Sequence, residues 1–173
     1  MTNFKKNDIF DAEVLDLTHE GQGVVKIDSF PFFVDNALPG ERIKMHVLKV
    51  GKSFGFGRVD EFISQSKHRV NQLNLDYLRT GIADFGHLSY DEQVKFKHKQ
   101  VVDILRKTAG KSDYPVLPVI EAIKTINYRN KAQIPVQMID GLLTTGFYRK
   151  NSHTLIPVED FYIQHPEIDA VVL

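Results

Sequence analysis

At 173 residues, with 42% hydrophobic and 25% charged side chains, the chain suits one ordinary domain or two small ones and is too apolar to be disordered. It holds no cysteine, which excludes disulfides, thiolate metal sites, iron–sulfur ligation and a cysteine nucleophile within these residues, and fits a reducing cytoplasm. The formal net charge of zero argues against a strong non-specific nucleic-acid binder, yet the charges are unevenly spread. Residues 1–62 carry eight Lys/Arg against ten Asp/Glu, 63–127 ten against seven, and 128–153 four against one. A neutral total can therefore hide a basic stripe in the second half. No apolar run nears the roughly 18 residues of a membrane span, and Met1 to Asp8 lacks an apolar signal core, so no membrane partner is expected.

Residues 8–62 read as all-β. "FDAEVLDL" (10–17) sets Phe10, Ala12 and Val14 on one face at period two. "GQGVVKI" (21–27) and "FPFFVDN" (30–36) flank Asp28-Ser29, a tight turn, and "LPGE" (38–41) is a second turn built on Pro39 and Gly40. "RIKMHVLKV" (42–50) alternates, with Ile43, Met45 and Val47 inward, and "GKSFGFGRVDEF" (51–62) is a last strand loosened by glycine. Five short strands suggest a small closed barrel of the OB type, since closure removes exposed edges.

Residues 63–80 read as a connector. Ser89 with Glu92 forms a capping-box signal, and Tyr90, Val94, Val101 and Leu105 recur at helical spacing up to the stop at Gly110. Lys95, Lys97, Lys99, Arg106 and Lys107 surround that stripe. Strands are expected at 128–139, 142–148 and 154–158, the first two joined by Asp140-Gly141. A short helix should start at His165-Pro166-Glu167. It reaches Leu173 after about two turns, too short to be stable alone with exposed valines, so the chain is expected to be part of a longer protein. The fold class is thus α+β, mainly β: a five-stranded barrel over 1–62, then a small antiparallel sheet with one long helix over 63–173.

The string "EGQGVVKIDSFPFFVDNALPGERIKMHVLKVGKSFGFGRV" resembles a TRAM domain, an OB-like RNA-binding barrel. Downstream, "GHLSYDEQVKFKHKQVVDIL", "YRNKAQIPV" and "GFYRKNSHTLIPVEDFYIQ" follow in the order seen in bacterial RNA uracil-5-methyltransferases with an N-terminal TRAM domain. The resemblance implies a full-length enzyme that methylates carbon 5 of uridine in 23S ribosomal RNA with S-adenosylmethionine. In that family the methyl-donor site and the catalytic cysteine lie in a C-terminal Rossmann-like domain, to which nothing here corresponds. It implies that this chain is the RNA-recognition part, a monomer of the cytoplasm, with no catalytic, cofactor-binding or metal residue of its own. Many relatives hold a [4Fe–4S] cluster on four cysteines of the central domain. Here the corresponding stretches read "NLDYLRTGIADFGHLSY" and "PVEDFYIQ", the last cysteine position falling at Phe161, so the chain resembles the cluster-less branch. Packing by Ile82, Phe85 and Phe161 is expected to replace the cluster.

Candidate RNA contacts fall in three stretches. The hairpin tip after Phe147 and Tyr148 offers Arg149, Lys150, Asn151, Ser152 and His153, cations and donors suited to a phosphate backbone beside aromatics able to stack a base. One of Phe147 and Tyr148 should point inward, because strand neighbours face opposite sides. Tyr128, Arg129 and Lys131 in "YRNK" carry the same chemistry, and in the barrel Lys52, Phe54, Phe56 and Arg58 share one parity. The plain alternatives are a solvated tip and phenylalanines that fill the barrel. The lysine-rich helix reads first as a solvated face, and the seven histidines show no metal-ligand spacing. Three functions stay open: the RNA-binding part of an RNA methyltransferase, a stand-alone TRAM-type RNA-binding protein, and a protein–protein adaptor.

Overall fold

A computed structural model describes residues 4–71, 73–110 and 113–172. Strands β1 (Ile9–Leu17), β2 (Gly23–Ile27), β3 (Phe30–Asp35), β4 (Arg42–Val50) and β5 (Gly55–Ser64) close into a barrel in the order β1-β2-β3-β5-β4. All neighbours are antiparallel except β3 and β5, which run parallel from Phe32↔Gly55 to Asp35↔Arg58. The period-two pattern decides which side chains enter. Ala12, Val14, Val25, Phe30, Phe32, Val34, Ile43, Met45 and Val47 form the buried core. The β2–β3 turn places Asp28 and Ser29 at φ 48° and 67°, so both central residues are left-handed, as a two-residue turn matching strand twist requires.

A buried ion pair ties the barrel to the stretch read as a connector. Glu41 is fully buried and takes Arg69 in a two-pronged grip, Nε to Oε1 at 2.6 Å and a terminal nitrogen to Oε2 at 2.7 Å. The same carboxylate accepts the backbone N–H groups of Leu38 (2.9 Å) and Ser66 (3.1 Å). Arg69 also donates to the side chain and carbonyl of Asn36, each at 2.9 Å, and lies 4.5 Å from the Phe62 ring centroid. All the polar capacity of a buried carboxylate is thereby used, which is the condition for keeping such a group inside.

The chain divides into two compact units, Met1–Leu73 with Asp84–Gln93, and Asn74–Ala83 with Val94–Leu173. The expected division fell at 62/63; the compact units group 63–73 and 84–93 with the barrel. Backbone bonds from Val70 N–H to His87 C=O and from Ser89 N–H to His68 C=O, each 2.9 Å, explain that grouping.

The second unit holds α1 (Asp76–Thr80), most of α2 (Tyr90–Ala109), and α3 (Pro166–Val172). Its three-stranded antiparallel sheet has the order β6-β7-β8, with β6 at Val136–Ile139, β7 at Leu142–Tyr148 and β8 at Leu155–Pro157. Asp140 and Gly141 turn the first hairpin at φ 51° and 82°. Tyr77, on α1, is buried, stacks on Tyr162 at 4.9 Å, and donates its hydroxyl to the Asp160 carbonyl at 2.7 Å.

Two expectations are corrected. The strand expected over 128–139 is ladder-paired only at 136–139, because Pro135 has no N–H and restricts Ile134 before it. Upstream, Arg129 instead forms an isolated parallel bridge with Gln164. The connector 63–80 contains α1, closed by Gly81 in the left-handed region at φ 77°. Among the described residues, no helix is long and apolar enough to cross a membrane.

Candidate nucleic-acid interface

The barrel's outer face carries a cluster of three phenylalanine rings. Phe33 lies 5.4 Å from Phe54 and 6.0 Å from Phe56, and Phe54 lies 5.5 Å from Phe56, centroid to centroid. Glycine explains why they face outward. A Cβ on Gly55 would come within 2.5 Å of the buried Phe32 ring, and one on Gly57 within 2.7 Å of Met45 Cγ. Only glycine fits those two inward positions, so the intervening Phe56 is directed out. The parity expected for Phe54, Phe56 and Arg58 thus points to the exterior, and the reading in which both phenylalanines fill the barrel is excluded. Phe33, across the β3–β5 pairing from Phe56, escaped the sequence reading. The signal was present: in "FPFFV" the residues of its parity lie opposite to the core residues Phe30, Phe32 and Val34.

Cations flank the rings. Lys52 is exposed in the turn closed by the Gly51 N–H bond to the Phe54 carbonyl at 2.8 Å. Arg58 is exposed but engaged, its Nε 3.1 Å from Asp60 Oδ1. The other oxygen of Asp60 meets His46 Nδ1 at 3.2 Å, and His46 Nε2 meets Asn7 Oδ1 at 3.1 Å. This chain of contacts fixes the direction of the Arg58 side chain toward Asp60.

In the second unit, the β7–β8 tip is a built turn. Asn151 is left-handed at φ 56°. Ser152 N–H donates to the Arg149 carbonyl (3.0 Å), and Arg149 N–H to the Thr154 carbonyl (2.9 Å). The Ser152 hydroxyl donates to Thr154 Oγ1 and accepts from Thr154 N–H, each at 3.0 Å. Asn151 and Ser152 therefore shape the turn. Lys150 N–H donates to the Arg79 carbonyl at 2.8 Å, anchoring the tip to α1. Arg149, Lys150 and His153 are exposed. The open choice between the two aromatics is resolved: Phe147 packs on the buried Phe161 at 4.4 Å, while Tyr148 is exposed, accepts from Gln137 Nε2 at 3.2 Å and meets His153 edge-on at 6.4 Å. Of the trio expected to replace a cluster, Phe161 is buried, whereas Ile82 and Phe85 are half-buried.

Tyr128, Arg129 and Lys131 are exposed. Arg129 does not run beside the tip; its N–H bonds the Ile163 carbonyl and its carbonyl accepts from His165 N–H, both at 2.8 Å. Its Nε donates to the Lys131 carbonyl at 3.0 Å. Lys52, Phe54, Phe56 and Arg58 belong to one compact unit, and the remaining ten candidates, from Tyr128 to His153, to the other.

A closed barrel of order 1-2-3-5-4, carrying aromatics and cations on one outer face, is an OB-type barrel. Residues 4–59 match the TRAM domain family. The whole chain is 98% identical over 173 residues to a Lactococcus lactis subsp. lactis protein named an uncharacterized RNA methyltransferase, YljE, and spans 38% of its length. It is 55% identical over 167 residues to a Streptococcus agalactiae serotype V protein also named an RNA methyltransferase, spanning 37% of it. The chain is thus similar along its length to proteins named RNA methyltransferases, and covers well under half of their length. Among solved structures, a Pyrococcus abyssi tRNA (uracil-54, C5)-methyltransferase in complex with S-adenosyl-L-homocysteine shares the fold, with a TM-score of 0.63 at 19% identity over 93% of this chain and 34% of that one.

Proposed function

We propose that this chain is the RNA-recognition part of a cytoplasmic, S-adenosylmethionine-dependent methyltransferase acting on carbon 5 of uridine in 23S ribosomal RNA. The observation that carries the RNA-binding part is the outward Phe33–Phe54–Phe56 surface with Lys52 and Arg58 beside it. Aromatic faces stack unpaired bases of any sequence, and neighbouring cations hold the phosphates. The hairpin tip, with Tyr148, Arg149, Lys150 and His153, repeats the chemistry in the second unit, and Tyr128, Arg129 and Lys131 extend it.

In the whole enzyme, S-adenosylmethionine supplies the methyl group. The residues described here do not fit that donor: their sheets are a closed barrel and a three-stranded antiparallel ribbon, with no strand–glycine loop–helix cradle for its carboxylate and ribose. The 173 residues also contain no thiol to attack the uracil ring. Donor and nucleophile are therefore assigned to the part of the relatives' length outside this chain.

The test is fluorescence anisotropy with a single-stranded fragment of 23S rRNA across a salt series. Phe54→Ala should weaken binding by about 1–3 kcal/mol with little change in salt slope. Lys52→Ala should lower the slope by roughly 0.7 for one lost single-strand phosphate contact. Parental affinity and slope in both variants, with the barrel intact by circular dichroism, would remove the RNA reading and leave a protein adaptor.

A further inference from the structure

One face of the β6–β7 hairpin is mostly apolar and exposed. The register Val136↔Thr145, Gln137↔Thr144, Met138↔Leu143 and Ile139↔Leu142 sets Val136, Met138 and Leu143 with Thr145 on one face, and Ile139 and Leu142 with Gln137 and Thr144 on the other. Val136, Met138, Leu142 and Leu143 are 50%, 67%, 72% and 74% exposed. An antiparallel ribbon with one wet face alternates apolar and polar residues, whereas a strand pair covered on both faces is apolar throughout. The hairpin departs from the first pattern, because its exposed face carries the apolar Val136, Met138 and Leu143. In addition, β6 is an edge strand in the order β6-β7-β8, and its sequence, Val-Gln-Met-Ile, has none of the charges or prolines that normally protect an edge. The same unit exposes Leu117, Ile120 and Ile123 at 79%, 97% and 103%, and α2 buries none of its 20 residues.

We propose that this hairpin is an internal contact of the full-length protein, its exposed apolar face covered by the polypeptide that lies outside these 173 residues. The argument for that occupant is its length and its tether. The relative that is 98% identical is more than twice as long as the matched part, which spans 38% of it. A covalently joined partner meets the hairpin at high effective concentration. RNA is a poor occupant, since residues 136–143 include no Lys or Arg and one acid, Asp140. The inference rests on the chain being part of a longer protein, not on its binding RNA.

The experiment is hydrogen exchange by mass spectrometry on a full-length protein carrying these residues, built on the Lactococcus lactis relative, without RNA. Peptides spanning 136–143 should exchange more than about a hundredfold slower than an unstructured chain, independent of protein concentration. A second measurement asks what Leu143→Asp does. It should raise exchange in this segment at least tenfold and also in peptides from the covering part, while barrel peptides stay unchanged. Fast exchange in the parent overturns the proposal. So does protection that vanishes on dilution together with a dimer-to-monomer change in light scattering, which makes a second copy the occupant. Protection that arises only on adding 23S rRNA fragments overturns it in favour of RNA. If only the RNA reading fails, the exchange result without RNA is unaffected.

Discussion

Arg69 and Glu41 show what a single pair of residues can decide. Both are almost wholly buried, and the carboxylate's four donors come from three residues, Leu38, Ser66 and Arg69. Removing the cation alone leaves a charge inside the protein, so Arg69→Ala should cost about 3–5 kcal/mol in urea unfolding. Replacing both partners with apolar residues of similar volume should recover most of that loss. Tyr77 offers a pH readout. Burial, reinforced by Asp160, pushes its hydroxyl up to about 12. A raised value in the folded state means its contribution is intact below the ordinary value near 10 and is lost as pH rises towards 12. Parent and Tyr77→Phe should therefore differ in how steeply stability falls between pH 10 and 12, with the parent steeper. Neither residue stood out in the sequence. An ion pair across 28 positions leaves no local periodicity, and Tyr77 lay in a stretch without a helical repeat long enough to notice.

Among the elements, the barrel was legible because period two is enforced by steric fit as well as by burial. Gly55 is the sharpest case. Ala there would press its Cβ into the Phe32 ring, so Gly55→Ala should destabilise the barrel by about 1–3 kcal/mol in thermal or urea melts. It should also disturb RNA binding by tilting Phe54 and Phe56. The tip element makes an opposite prediction. Arg149 reaches solvent from a turn held by Asn151, Ser152 and Thr154, so Arg149→Ala should leave stability within about 0.5 kcal/mol and lower the RNA salt slope by roughly 0.7. The strand expected over 128–139 was only partly legible. Its apolar alternation is real, but Pro135 interrupts the ladder, and its upstream half found a partner in 163–165, which no local pattern announces.

At the scale of the whole molecule, the candidate contacts were legible as residue types, while their grouping was not. Phe33 joined the aromatic surface only when β3 and β5 were seen to run side by side, and Arg129 left the hairpin once Gln164 was seen as its bridge partner. Parallel pairing and isolated bridges link distant segments without a turn between them, so sequence alone gives no register.

The two-segment make-up of the barrel's unit bears on how the molecule can be shortened. A gene cut after residue 62, where the strand pattern ends, would delete Arg69 and orphan the Glu41 carboxylate. A cut after residue 73 would keep Arg69 but remove its bridge partner Leu88 and the His87 carbonyl that accepts from Val70. The shortest piece that keeps the whole unit thus runs through residue 93, with 74–83 carried as an excursion. A protease that nicks inside that excursion should leave the barrel's two segments associated until they are denatured, so the fragments should co-elute in native chromatography and separate only in urea.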